Sequence, residues 1–148
     1  KFLHLVVEEA SKRTDREIRF TNSAGEVHVN ADAIGFREAF SNLIDNSVKF
    51  SPAERPVDVE LRKAKNPQWV EIAITDFGIG IEEKEQQIIF RRFSRVQDER
   101  TKDIPGNGLG LYIANNIILN HQGEIKVDST PGSGSTFTVL LPVENSSH

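Results

Sequence analysis

Apolar residues recur along this chain with two periods, and the switches between them mark out its elements. Phe2-Leu3-His4-Leu5-Val6-Val7 to Ala10 is apolar at mixed spacing and turns charged at Lys12-Arg13, which predicts a short helix over residues 1–14. Ile18-Arg19-Phe20 and Val27-His28-Val29 alternate on either side of Asn22-Ser23-Ala24-Gly25, which predicts a hairpin. Asn30 or Asp32 can cap a helix running to about Lys49, where Ser51-Pro52 ends it. Two further alternating runs, Val57–Ala64 and Trp69–Thr75, flank Lys65-Asn66-Pro67-Gln68 and predict a second hairpin with one buried face. Residues 82–103 hold six acids and six bases, predicting a short helix and a solvated, mobile loop. A helix over Leu111–His121 follows, then a closing hairpin of Glu124–Ser129 and Ser135–Leu141 about Pro131-Gly132-Ser133-Gly134. Strands paired with strands, and helices between the pairs, predict an α+β fold with the helices on one sheet face.

Composition narrows the class without naming an activity. At 148 residues the chain suits one domain, and a globular chain of that size needs no disulfide or metal staple. The absence of cysteine excludes disulfides, thiolate metal sites and cysteine nucleophiles. No apolar run approaches the ~20 residues of a membrane span. A net charge of −4 argues against a nucleic-acid binder that works by bulk charge. The chain opens on Lys1 and holds no methionine, so it is expected to be a stretch of something longer.

Three segments carry candidate chemistry. In the helix to Lys49, the core stripe Phe36, Ala39, Phe40, Leu43, Ile44 and Val48 faces one way. Glu38, Asn42, Asn46 and Lys49 line up on another face at spacings of four, four and three. Such a row is ordinarily just a solvated face, yet two mid-helix asparagines lower helix propensity. Amide oxygens are hard neutral ligands for Mg²⁺, an ammonium meets phosphate as a point charge, and a carboxylate can orient a proton or water. Next, Asp76-Phe77-Gly78-Ile79-Gly80-Ile81 follows an apolar strand. A carboxylate there accepts the amino protons of adenine and repels the carbonyl of guanine, while the glycines let backbone approach a flat ring. An ordinary Asp-Gly turn would look the same. Third, Gly106-Asn107-Gly108-Leu109-Gly110-Leu111 abuts a helix, where freed N–H groups and the helix terminus can cradle phosphate. Between the last two lies Phe90-Arg91-Arg92-Phe93-Ser94-Arg95, two aromatic anchors with arginines left for phosphates or a partner.

With these segments in this order, the sequence resembles the catalytic ATP-binding domain of bacterial sensor histidine kinases, within the gyrase/MutL-type (GHKL) ATPase superfamily. Phe40 to Phe50 is similar to the family's asparagine box. Asp76–Gly80 and Gly106–Gly110 resemble its first and second glycine boxes, and Phe90–Phe93 its phenylalanine box. His121-Gln122-Gly123-Glu124-Ile125, Gly132 to Phe137 and Leu141-Pro142 resemble its closing hairpin. The resemblance implies a Bergerat-type two-layer sandwich, a mixed, mainly antiparallel sheet on about three helices, with a mobile lid. It implies Mg²⁺ on Asn42, help from Asn46, adenine recognition by Asp76 and phosphate contact from Lys49. Gly106, Gly108 and Gly110 would wrap the phosphates, with Asn107, Leu109 and Leu111 also in the ATP site. Phe50, Gly78, Gly80, Ile81, Phe90, Phe93, Arg95 and Thr136 would complete the nucleotide pocket. Glu38 stands where superfamily members keep an activating carboxylate.

Phe50 replaces the family's frequent tyrosine and Asn107 its commoner threonine. The acceptor motif, a histidine followed by an acidic residue, is missing: His4 precedes Leu5-Val6-Val7. The phosphoacceptor is therefore expected upstream, on a dimerisation domain joined through residues 1–14, with residues 15–143 catalytic and 144–148 a tail. The resemblance also implies a homodimer in the full-length protein, this stretch alone being monomeric. A response-regulator receiver domain would be the downstream partner, with a cytoplasmic setting and no nucleic acid. An anti-sigma-type serine kinase and an ATP-gated interaction module are the alternatives.

Overall fold

The computed structural model describes residues 2–86, 89–90 and 109–144. Helix α1 (Phe2–Thr14) leads into strand β1 (Ile18–Asn22), helix α2 (Ala33–Lys49) and the strands β2 (Val57–Lys63) and β3 (Trp69–Asp76). The one-turn helix α3 (Glu83–Gln86), helix α4 (Gly110–Asn120) and strands β4 (Glu124–Thr130) and β5 (Gly134–Pro142) follow. The five strands form one sheet in the order β1-β2-β3-β5-β4. All pairs are antiparallel except β1 with β2.

Alternation along each strand turns one face inward. Val57, Val59, Val70, Ile72, Ile74, Phe137, Val139 and Leu141 are buried against Phe36, Ala39, Phe40, Leu43 and Ile44 of α2. Val6, Val7 and Ala10 of α1, with Ala114 and Ile118 of α4, complete the helix layer. This is the α+β sandwich of sheet on helices that the pattern predicts. The other sheet face is polar, with Arg19 paired to Asp58 at 2.8 Å and Arg62 to Glu71 at 2.9 Å.

Asp32 caps α2 as expected, its carboxylate accepting the Gly35 N–H. The first hairpin is corrected. Asn22 does turn the chain, accepting the N–H groups of Ala24 and Gly25 through Oδ1. Yet residues 27–29 form no strand. β1 pairs instead in parallel with β2, which follows it only after α2, and the His28 carbonyl accepts from Glu144 N–H at 2.7 Å. Much of the expected lid lies outside the described residues, including the phenylalanine segment after Phe90 and the second glycine segment before Leu109.

Candidate functional site

Asp76 ends β3 with its side chain in the core layer, in step with Val70, Ile72 and Ile74. It is 3% exposed and opposite Ser135 at the start of β5. Its Oδ1 accepts the Gly78 N–H at 2.9 Å. Burial pushes its carboxyl above the ordinary range, and hydrogen bonds from the Gly78 and Ser135 backbones oppose that rise without cancelling it. A desolvated carboxylate with open acceptor capacity is poised to take donors from a ligand.

The wall beside it is backbone. At Gly78 a Cβ would overlap the Phe50 carbonyl oxygen, so glycine lets the Asp76 turn press onto the C-terminus of α2. At Gly134, with φ +99°, a Cβ would overlap the Asp76 carbonyl oxygen, which seats the β4–β5 turn on the same segment. The Gly132 N–H donates to Ile79 O at 2.7 Å, and Ser129 Oγ accepts from Ile81 N–H at 2.7 Å. The Asp76–Ile81 loop is thus held from both sides, by α2 and by the closing hairpin.

The polar row on α2 begins and ends exposed, at Glu38 and Lys49, with Asn42 and Asn46 half-buried between them. α4 starts against it: a Cβ on Gly110 would lie 4.0 Å from the Asn42 Cβ. The first turn of α4 thus lies beside Asn42, and a helix N-terminus points its backbone N–H groups along the axis. This donor set fits magnesium brought in by a nucleotide. Among the described residues no three His, Cys, Asp or Glu gather into a metal cage. One amide oxygen, water and phosphate oxygens are the ligands Mg²⁺ prefers over a dedicated protein cage.

Other expected positions fall as follows. Phe50 caps α2 and contributes its carbonyl to the Gly78 contact. Gly80 takes φ +75°, and Ile81 and Leu111 pack half-buried on the core. Phe90 meets Phe137 edge-on at 6.2 Å, anchoring its segment to the core. Thr136 lies one residue beyond Ser135, on the open sheet face, 3.1 Å from Thr75 through their hydroxyls. Phe93, Arg95, Gly106, Asn107 and Gly108 lie outside the described residues.

Sequence reasoning passed over two serines. Ser47, fully buried within the α2 core stripe, has a hydroxyl without a hydrogen-bond partner among the described residues. A polar residue at a core-stripe position is the signal that could have found it. Ser135 shares the Asp76 pairing and bonds Ser129 at 2.7 Å between hydroxyls. Its strand parity, once Asp76 is placed, points to it.

A family described as histidine kinase-, DNA gyrase B- and HSP90-like ATPase matches residues 31–145. The sensor-like histidine kinase SenX3 of Mycobacterium tuberculosis is 38% identical over 133 residues, 90% of this chain and 32% of that protein. The signal transduction histidine-protein kinase/phosphatase MprB of Mycolicibacterium paratuberculosis is 38% identical over 138 residues, 90% of this chain and 26% of that protein. The chain therefore spans about a third or less of these curated relatives. Among solved structures, mycobacterial sensor histidine kinase MprB superposes with a TM-score of 0.81 at 31% identity, covering 97% of this chain and 93% of that one. Full-length ShkA in complex with AMPPNP superposes at 0.79 with 25% identity, over 99% of this chain and 30% of that one.

Proposed function

The chain belongs to the histidine kinase-, DNA gyrase B- and HSP90-like ATPase family, and on that premise we propose that it is the catalytic ATP-binding part of a two-component sensor histidine kinase. It holds Mg-ATP between α2, the end of β3 and the start of α4. The γ-phosphoryl goes to a histidine on a dimerisation and phosphoacceptor domain, and from there to a response-regulator receiver domain. Residues 1–14 join that domain to the catalytic residues 15–143. The setting is cytoplasmic, where ATP is supplied. Among the described residues no helix is long and apolar enough to cross a membrane.

The observation that carries this reading is the buried Asp76 carboxylate, set on a turn whose glycine seats against α2. Asp76 accepts the exocyclic amino group of adenine. Asn42 offers its amide oxygen to magnesium, with Asn46 one turn on, and Lys49 meets phosphate. Magnesium, when bound with the nucleotide, neutralises phosphate charge. Little covalent work falls to the side chains, because positioning and charge neutralisation supply most of the barrier reduction. Glu38, exposed one turn before Asn42, takes the proton of the acceptor imidazole as its nitrogen bonds to the γ-phosphorus and ADP leaves. The relatives are named as histidine kinases, which favours this reading over a serine kinase or a gated module.

Labelled ATP incubated with this chain and a separate acceptor domain tests the proposal. The label should appear on histidine, acid-labile, and Glu38→Gln should spare ATP binding while cutting transfer about 100-fold or more. An acid-stable label on serine would replace the reading with the serine kinase. Binding without transfer to any acceptor would replace it with the gated module.

A further inference from the structure

Arg16 stands at the junction of α1 and β1, far in sequence from every segment assigned to the nucleotide. Its backbone is pinned by the end of α1. Asp15 takes φ 53°, the Arg16 N–H donates to Ser11 O at 3.3 Å, and Ser11 Oγ donates to Arg16 O at 2.6 Å. From this fixed root the side chain crosses to the C-terminus of α2. Nη1 donates to Val48 O at 3.2 Å. Nη2 reaches Ser51 O at 3.2 Å, Pro52 O at 2.6 Å and, more distantly, Arg55 O at 3.4 Å. Nε, buried, has no partner among the described residues, so the terminal nitrogens carry the whole contact.

A helix end leaves carbonyls without intrahelical donors, and a cation there also complements the helix dipole. Water could satisfy the same oxygens, but it would not fix where the chain goes next. The planar guanidinium gathers carbonyls from the last turn of α2 and from residues 51–55 beyond it into one rigid fork. Residues 50–55 touch the Asp76 turn twice. The Phe50 carbonyl abuts Gly78, and the Arg55 guanidinium lies 4.5 Å over the Phe77 ring.

We propose that Arg16 is a positioning residue of the nucleotide site: it fixes residues 48–55 so that Phe50 and Arg55 hold the Asp76–Gly78 turn in the geometry that receives a purine. The inference rests on the reading of Asp76 as the purine acceptor. It assigns the junction after α1 a direct mechanical tie to the purine end of the pocket, one that bypasses the core.

The test compares ATP dissociation constants by calorimetry for the wild type, Arg16→Ala, Arg16→Lys and Arg13→Ala, each well below its melting temperature. Arg13 also ties α1 to α2, through Asp45 at 2.6 Å, but away from the turn. Arg16→Ala should weaken ATP about tenfold, the scale of a hydrogen bond to a charged group. Arg16→Lys, which keeps the charge but not the fork, should fall between it and the wild type. Arg13→Ala should stay within about twofold, as exposed ion pairs contribute little. Amide exchange at Gly78 should quicken in Arg16→Ala and not in Arg13→Ala, a readout that general loosening would not separate. Native affinity in Arg16→Ala overturns the inference, as does equal weakening in both arginine variants. If Arg16→Ala fails to fold, native affinity and native Gly78 exchange in Arg16→Lys overturn it. Failure of the wild type to bind ATP instead brings down the reading of Asp76, and this inference with it.

Discussion

Asp76 keeps a carboxylate where almost no water reaches it. Burial raises its carboxyl above the usual range, so the folded chain binds this proton more readily than the unfolded chain does. Stability from this group is therefore greatest below the ordinary carboxyl range. It declines as pH climbs from about 4 through the raised folded value. On the proposed reading ligand binding runs the other way, because only the ionised form accepts two donors at full strength. Asp76→Asn separates the two effects. At neutral pH it should raise the melting temperature by roughly 2–4 °C and flatten this pH dependence. It should also weaken ATP by about 10–100-fold. Thermal scans from pH 4 to 8 and a calorimetric titration check both. A variant that loses stability at neutral pH would show that the buried charge is compensated in the folded chain.

At the scale of elements, the site depends on α2 and the β3 turn meeting without a side chain between them. Gly78→Ala would drive a methyl group into the Phe50 carbonyl, and backbone on both sides leaves little room to relax. It should cost about 3 kcal/mol or more in denaturant unfolding and remove ATP binding even where the variant folds. A neutral Gly78→Ala would mean that the two elements can slide apart. These elements were legible for local reasons. The α2 cap at Asp32, the β2–β3 and β4–β5 hairpins and α4 each follow from periodicity and turn residues within a short window. The return strand at residues 27–29 was misread because parallel pairing of β1 with β2 is decided by a partner beyond α2. His121 likewise read only as a residue at a helix end. Its Nε2 in fact accepts the Asp32 N–H at 3.1 Å, tying the end of α4 to the start of α2.

At the scale of the molecule, the sheet order brings together what the chain keeps apart. β3 and β5 are neighbours, so Asp76 and Ser135 face each other across 59 positions, 135 minus 76. α4 packs on α2, so Gly110 meets Asn42. The asparagine row, Asp76 and the glycine segments stand out as candidate chemistry only jointly, because alone each also reads as a solvated face or an ordinary turn. The approach of Gly110 to Asn42 and of Gly78 to Phe50 was not legible, and neither were Ser47 and Arg16. A buried hydroxyl among apolar neighbours and an arginine in a linker look ordinary until the elements around them are assembled. Net charge decides little here. On the proposed reading, backbone donors, Lys49 and the magnesium on Asn42 would meet a phosphate locally, whatever the chain's overall −4.

On the proposed reading this chain holds ATP through its purine at Asp76 and its magnesium at Asn42. The most direct measurement is a calorimetric titration of ATP, with and without Mg²⁺, into the wild type and Asn42→Ala. Magnesium should strengthen wild-type binding, and Asn42→Ala binding should be the same with and without the metal. A wild type that gives no binding, or an Asn42→Ala variant that keeps the full magnesium dependence, would contradict that reading.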